Sequence, residues 1–481
     1  MGTRAAALHG AQTHFDSGAF LRDLSRRVAI RTESQDPASG PALQAYLADE
    51  IAPSLAALGF SSRIHPNPET PYGPLLIANR HEGDSLPTVL VYGHGDVIRG
   101  QDKSWTKGEG PWTVAVRTEG DSVRWYGRGT ADNKGQHSIN FAALAQVLAA
   151  RGGRLGFNVK VLVETGEETG SPGLAAFCAA HSAELASDVL IASDGPRLRR
   201  DRPTVFLGSR GVANFDLTLT LREGGHHSGN WGGLLRNPGT VLLNAIASMV
   251  DGQGKILVEA LRPPPIPANV KAALIDLQFG GDPGDPEVDA TWGEPGLSPA
   301  ERVIAWNTLE VLAFKTGNPD FPVNAIPHTA KATMHLRYVV GTDVSDIAGS
   351  VRAHLAAQGF AGIAVTEPLV MAATRLDPDN AWVRFTLASI QRSTGQVPAL
   401  LPNLGGSLPN DVFADILGLP TVWVPHSYAA CSQHAPDEHV LASVMREGLT
   451  LMTGLFWDLG EQAAQLPRRP APISPPLPET A

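Results

Sequence analysis

Three apolar, β-branched runs in this 481-residue chain each run straight into histidine or acid. Leu86–Tyr92 is followed by Gly-His-Gly-Asp-Val (93–97). Phe157–Val163 is followed by Glu164-Thr-Gly-Glu-Glu. Asp188–Ser193 is followed by Asp194. Short apolar runs bounded by glycine read as buried strands. Helical spacing over Phe15–Ile30, Pro41–Leu58 and Ser138–Ala150 lies before and between them, and Thr421–Val424 reads as a fourth strand. Strands alternating with helices predict an α/β fold with a mixed, mostly parallel sheet between helices. In such sheets the ligand crevice lies beyond the carboxyl ends of the strands, where these acids and histidines fall.

The middle of the chain has a different rhythm. Val212–Leu221 and Lys331–Val340 alternate apolar and polar residues, as half-exposed strands do. With helices at Thr240–Val250 and Val344–Ala357 and short strands at Leu309–Phe314 and Ile363–Val365, the order is β-α-β-β-α-β. That order predicts a ferredoxin-like α+β unit inserted into the first domain. The expected organisation is a catalytic domain over 1–207, an inserted lid and dimerisation domain over 208–372, the rest of the catalytic domain over 373–466, and a disordered proline-rich tail over 467–481. The Gly/Pro-rich stretch Arg262–Pro299 is expected to be an extended loop.

Composition narrows the function. Charged residues make up 18% and the net charge is −10, which argues against nucleic acid or an anionic membrane as partner. Two cysteines, Cys178 and Cys431, make no disulfide framework and favour a reducing compartment. The N-terminus lacks a secretory apolar stretch and no run spans a bilayer, so a cytoplasmic location is the expectation.

Five clusters carry the candidate chemistry: His94 with Asp96, Asp132 in Gly-Arg-Gly-Thr-Ala-Asp-Asn-Lys-Gly (127–135), Glu167-Glu168, Asp194, and His434 in Ser-Gln-His-Ala-Pro-Asp-Glu-His (432–439). Each alone has a plain reading: a loop histidine, a helix cap, or acids opening a helix. Together they supply more ligands than one ion needs. Two ions sharing a carboxylate account for the set. Imidazole and carboxylate donors suit zinc, with manganese or cobalt as alternatives. Asp96 could accept the proton of the His94 ring, and adjacent Glu167 and Glu168 diverge and so can take different parts.

These motifs, with His-Ser-Gly (227–229) and Gly-Gly-Ser-Leu-Pro (405–409), resemble the metallohydrolase family of acetylornithine deacetylase, succinyl-diaminopimelate desuccinylase, aminoacylase and carnosinase. The resemblance covers nearly the whole chain. It implies that Asp132 bridges two divalent ions, with Glu168 and His434 at one and His94 and Asp194 at the other. It implies Glu167 as general base, Asp96 as the group orienting His94, and a cis Asp132–Asn133 peptide. It also implies a homodimer in which His227 reaches the partner's active site and polarises the scissile carbonyl. Asn324, Arg337, Gly406 and Ser407 would bind substrate, Arg337 at a carboxylate. Read without the resemblance, Arg337 is an exposed strand residue and His227 part of a flexible loop.

The chain departs from the family pattern at Val97–Gly100, which lacks a proline, at Asn307, at Asp437 in place of asparagine, and in the Pro425–Gln433 loop. None of these removes a ligand. An aspartate at 194 and the His-Ser-Gly-Asn-Trp-Gly-Gly run resemble the carnosinase-like dipeptidases. The implied activity is a dipeptidase or N-acyl-amino-acid amidase acting on a small carboxylate-bearing substrate. The alternatives are an acetylornithine or succinyl-diaminopimelate type of deacylase, an aminohydrolase of a small non-peptide amide or amine, and a metal-free binding module.

Overall fold

The computed structural model describes residues 2–281 and 285–469. Most of the proline-rich tail lies outside the described residues. The chain divides into two compact units, one of Met1–Val205, Asp379–Pro398 and Val412–Ala481, the other of Phe206–Pro378 and Ala399–Asp411.

In the first unit, six strands stand in the order Ser61–His65, Leu75–Arg80, Asn158–Glu164, Thr88–His94, Val189–Ala192, Thr421–Trp423. The last four run parallel to one another and the first two complete a mixed sheet through antiparallel pairing. Val89, Leu90, Val91 and Tyr92 are all buried, as a central strand covered on both faces requires. The expected Phe15–Ile30 helix is two helices, Arg4–Asp16 and Ala19–Ala29, parted at Gly18, whose φ of 73° a side chain would resist. Helical turns run from Gly40 to Ala56, with a π-helical stretch at Tyr46–Ile51. The long Ala442–Gln462 helix packs against Lys134–Ala150, Arg4–Asp16 and Ala381–Thr394. A separate three-stranded sheet sets His439–Leu441 beside Ser122–Tyr126 beside Ala115–Glu119.

The second unit has a sheet in the order Thr308–Thr316, Thr329–Tyr338, Gly211–Thr220, Ala364–Val365, all antiparallel. Its buried face (Phe215, Leu217, Leu219, Met334, Leu336) meets Leu242 and Ile246 of the Pro238–Met249 helix and Val351 and Leu355 of the Ile347–Ala357 helix. This is the ferredoxin-like order.

Two expectations need correction. Arg262–Pro299 is not all loop: Ala268–Leu274 is helical, with Val270 and Leu274 buried, because its apolar spacing outweighs the flanking prolines. The domain boundaries also shift. Ala399–Asp411, expected in the catalytic domain, belongs to the second unit, where Leu404 bridges Ser209, Arg210 donates to the Gly405 carbonyl, and Asn403 donates to the Ile304 carbonyl.

Candidate metal centre

Five segments of the first unit deliver the six groups. His94 ends the Thr88–His94 strand. Glu167 and Glu168 form a short turn after Asn158–Glu164. Asp194 follows Val189–Ala192. Asp132 sits just ahead of the Lys134–Ala150 helix, whose N-terminal dipole favours a carboxylate. His434 lies on the loop before His439–Leu441, at a φ of 61°. Space is tight beneath them. A side chain at Gly95 would come within 2.5 Å of the Tyr46 ring, so only glycine lets the chain turn away from the strand here. The Asp132–Asn133 peptide is cis.

Asp132 is the centre of the arrangement. Its Oδ1 lies 2.9 Å from His94 Nε2 and its Oδ2 lies 3.0 Å from His434 Nε2. On one side His94 Nε2 is also 3.6 Å from Asp194 Oδ2. On the other, His434 Nε2 is 3.1 Å from Glu168 Oε2. Glu167 Oε2 stands 3.9 Å from His94 Nε2. Two sets able to hold an ion result, His94/Asp132/Asp194 and Asp132/Glu168/His434, each with donor atoms within 4.8 Å of one another. The divergence of Glu167 and Glu168 toward different histidines is plain in these distances.

The electrostatics point the same way. Burial, reinforced by the neighbouring carboxylates, pushes Glu168 up to about 7 and Asp194 up to about 6, and holds Glu167 well above the usual carboxylate range. Burial alone would lower His94, but hydrogen bonds to Asp132 and Asp96 and the Glu167 charge hold it well above its usual value. His434 is raised to about 10 by its bonds to Asp132 and Glu168. Burial would raise Asp132, yet the two histidines draw it below the ordinary range. So many acids in one place call for added positive charge. Asp194 Oδ2 is buried with no hydrogen-bond partner among the described residues, which a native interior tolerates poorly. Nitrogen and carboxylate donors with an unsatisfied buried oxygen fit a pair of divalent cations.

Asp96 departs from the expected geometry. His94 Nδ1 is nearer the Asp96 carbonyl oxygen (3.1 Å) than its carboxylate (3.4 Å). The carboxylate instead accepts the backbone N–H groups of Glu167 and Glu168, at 3.2 and 3.1 Å. One residue therefore supports both the histidine and the glutamate turn. A third group, His65, His181 and Glu184, lies elsewhere in this unit. Its His65 and His181 rings pack edge-on and tilted against Phe177, and His181 Nδ1 lies 3.0 Å from Glu184 Oε2, which is aromatic packing with a hydrogen bond.

The remaining site candidates fall in the second unit, in two places. His227 and Asn324 adjoin on a two-stranded ribbon, where His227 pairs with Ala325 and the Asn324 carbonyl accepts from the Ser228 N–H. Arg337 Nη1 donates to Ser407 Oγ at 2.7 Å, beside Gly406, and its Nε is 2.9 Å from His335 Nε2. Arg337 makes no ion pair with an acid among the described residues, and burial lowers its pKa.

With this geometry in place, comparison with known proteins is decisive. The sequence profile of the family described as Peptidase family M20/M25/M40 matches residues 90–458. The chain belongs to that family. As an M20 peptidase-family member it is a metallohydrolase acting on C–N bonds. It is 27% identical over 373 residues to a cysteinylglycine-S-conjugate dipeptidase from Corynebacterium striatum, covering 75% of this chain and 77% of that protein. It is 30% identical to a Beta-Ala-His dipeptidase from Mus musculus over 273 residues, 53% of this chain and 52% of that one, so the alignment spans about half the mouse enzyme. The structure of the di-peptidase Dug1p from Saccharomyces cerevisiae shares the fold, with a TM-score of 0.73 at 22% identity, covering 94% of this chain and 98% of that one.

Some M20 site neighbours were not singled out from sequence. Gln433 donates its side-chain amide to Asp132. Asn133 donates to the Ser193 carbonyl at 2.9 Å, and its Oδ1 is 3.1 Å from His137 Nδ1. His137 Nε2 meets the Tyr46 hydroxyl at 2.7 Å. Glu438 joins the Asp132 loop to the His434 loop. The available signal was their place inside the motifs. Nothing in the sequence says which motif residues touch each other.

Proposed function

We propose that this chain is a dinuclear metallodipeptidase acting on small peptides with a free carboxylate, an activity that extends to related N-acylated amino acids. The observation that carries the reading is Asp132, whose two oxygens face His94 and His434 at 2.9 and 3.0 Å. Asp132 would hold both ions, His94 and Asp194 completing one site and Glu168 and His434 the other. The ions are zinc, with manganese or cobalt able to replace it. When bound, they supply the charge that makes a water acidic near neutral pH and polarises an amide carbonyl. Glu167 takes the water's proton and delivers it to the departing amine nitrogen. Asp96 keeps His94 and the Glu167–Glu168 turn in place. Arg337, with Ser407 and Gly406, receives the substrate carboxylate through charge-assisted bonds, and Asn324 contacts the substrate. His227 of the partner subunit donates to the developing oxyanion.

A homodimer is part of this reading. The edge strand Thr308–Thr316 leaves Val311 and Leu312 44% and 59% exposed, a surface suited to a second copy. A cytoplasmic location fits two buried, unpaired cysteines, and no helix among the described residues is long and apolar enough to cross a membrane. Relatives named for cysteinylglycine conjugates and for Beta-Ala-His support dipeptides as substrates. The test is a panel of dipeptides, N-acetyl and N-succinyl amino acids and small non-peptide amides, assayed after metal reconstitution. Dipeptide hydrolysis is the expected result. Turnover confined to the acylated amino acids or to the non-peptide amides would replace the reading with a deacylase or an aminohydrolase.

A further inference from the structure

The loops carrying Asp132 and His434 leave one end of a single β-ladder. Gly127 begins the Asp132 loop directly after the Ser122–Tyr126 strand, and Glu438 ends the His434 loop directly before His439–Leu441. These strands pair antiparallel with His439 opposite Tyr126, so the loops start side by side. Between them stands Glu438, a carboxylate 1% exposed. Its Oε1 accepts the backbone N–H groups of Gly129 (3.1 Å), Ala131 (2.9 Å) and Asp132 (3.1 Å). Its Oε2 accepts from Arg128 Nη1 at 2.7 Å. Arg128 Nη2 in turn reaches the Ala435 carbonyl at 3.1 Å, and the Gly127 N–H reaches the Glu438 carbonyl at 3.0 Å. The N–H groups of Gly127, Gly129, Ala131 and Asp132 and the Arg128 guanidinium thus all close on residues of the His434 loop, one of these bonds coming from the backbone of Asp132 itself.

We propose that Glu438 is a positioning residue that fixes the distance between Asp132 and His434, and hence the shape of the second cation site. The inference rests on the two-ion reading above. A carboxylate is the group required, because it is an anion with two oxygens and can hold three converging N–H groups on one while pairing a buried guanidinium with the other. A shorter or neutral side chain leaves those N–H groups unbonded or Arg128 without its carboxylate, and the loops lose their common anchor. Groups that hold metal ligands in place typically change metal affinity by about 10- to 100-fold when removed.

The test uses the full chain, stripped of metal and titrated with cobalt(II), reading its visible absorption and the number of ions bound. Glu438→Ala is expected to bind the second ion about 100-fold more weakly than the parent, with an altered cobalt spectrum. Glu438→Gln, which keeps one oxygen for the N–H groups and loses the Arg128 pair, is expected to recover part of the loss, to about 10-fold. Thermal unfolding runs in parallel, and Glu50→Gln, at the buried Arg27–Glu50 pair (3.1 Å), serves as a variant that loosens the fold elsewhere and is expected to leave cobalt binding unchanged. Should Glu438→Ala fail to fold, Glu438→Gln carries the decision. If Glu438→Gln takes up two ions as tightly as the parent with the same spectrum, the positioning role is wrong while the two-ion reading stands. A parent chain that binds no cobalt would overturn both.

Discussion

Glu167 and Glu168 approach different histidines, at distances that differ by 0.8 Å (3.9 against 3.1 Å). Glu168 Oε2 is within hydrogen-bond reach of His434, whereas Glu167 Oε2 stops 3.9 Å from His94 and belongs to neither ligand set. Glu167→Gln is therefore expected to keep both ions and lose turnover by about 10²–10⁴-fold, read as kcat beside metal content by mass spectrometry. Glu168→Gln is expected to lose metal as well. A different residue should govern acid stability. His426 is fully buried with both ring nitrogens unpartnered among the described residues, and burial together with the Arg197 charge holds its pKa well below the ordinary 6.5. The unfolded chain then binds a proton below pH 6.5 that the folded unit refuses. Stability from this group is intact above that pH and declines as the pH falls beneath it, by about 1.4 kcal/mol per unit. His426→Gln is expected to flatten the acid limb of a stability–pH profile by that slope. An unchanged limb would refute the assignment.

At the scale of elements, connection does the work. Asp437, where the family pattern has asparagine, accepts from the Thr106 and Lys107 N–H groups at 2.8 and 2.9 Å and from the Thr106 hydroxyl at 2.6 Å. Asp437→Ala is expected to cost on the order of 1–3 kcal/mol of local stability, measured as faster hydrogen exchange at Thr106 and Lys107, with no change of fold. The elements also explain what could be read beforehand. Thr88–His94, Asn158–Glu164 and Val189–Ala192 are legible because a strand buried on both faces is predominantly apolar, and each run leads into His94, Glu164 or, two residues beyond Ala192, Asp194. The ferredoxin-like strands were legible from period-two alternation. Glu438 was not, since an acid in a loop carries no period, and its meaning depends on His439 pairing with Tyr126, a contact between residues far apart in sequence. The break at Gly18 and the helix at Ala268–Leu274 escaped for a local reason: glycine and proline mark where a chain turns without saying how much structure survives between turns.

For the molecule as a whole, the division into units separates the candidate metal-binding groups from the proposed substrate-binding ones. His94, Asp132, Glu167, Glu168, Asp194 and His434 lie in the first unit, and His227, Asn324, Arg337 and Ser407 in the second. If the proposed dimer shares its sites, His227→Ala and Glu167→Gln should each be nearly inactive alone. Subunits mixed and reassociated should regain about a quarter of the parent activity, because half the dimers are mixed and each of these holds one intact site. No recovery in verified heterodimers would place His227 outside the partner's site. Arg337→Met is expected to raise KM for carboxylate-bearing substrates at least about 10-fold while metal content stays constant.

Asp132 and His434 are brought face to face by a ladder whose second strand arrives only with His439–Leu441. During synthesis, His94, Asp132 and Asp194 leave the ribosome long before His434 and the Glu438 that anchors the Asp132 loop exist. A nascent chain halted short of His434 can present at most a lone three-residue nest for a single ion, so peptide-cleaving power should switch on late in translation and vanish with any cut that removes that closing segment.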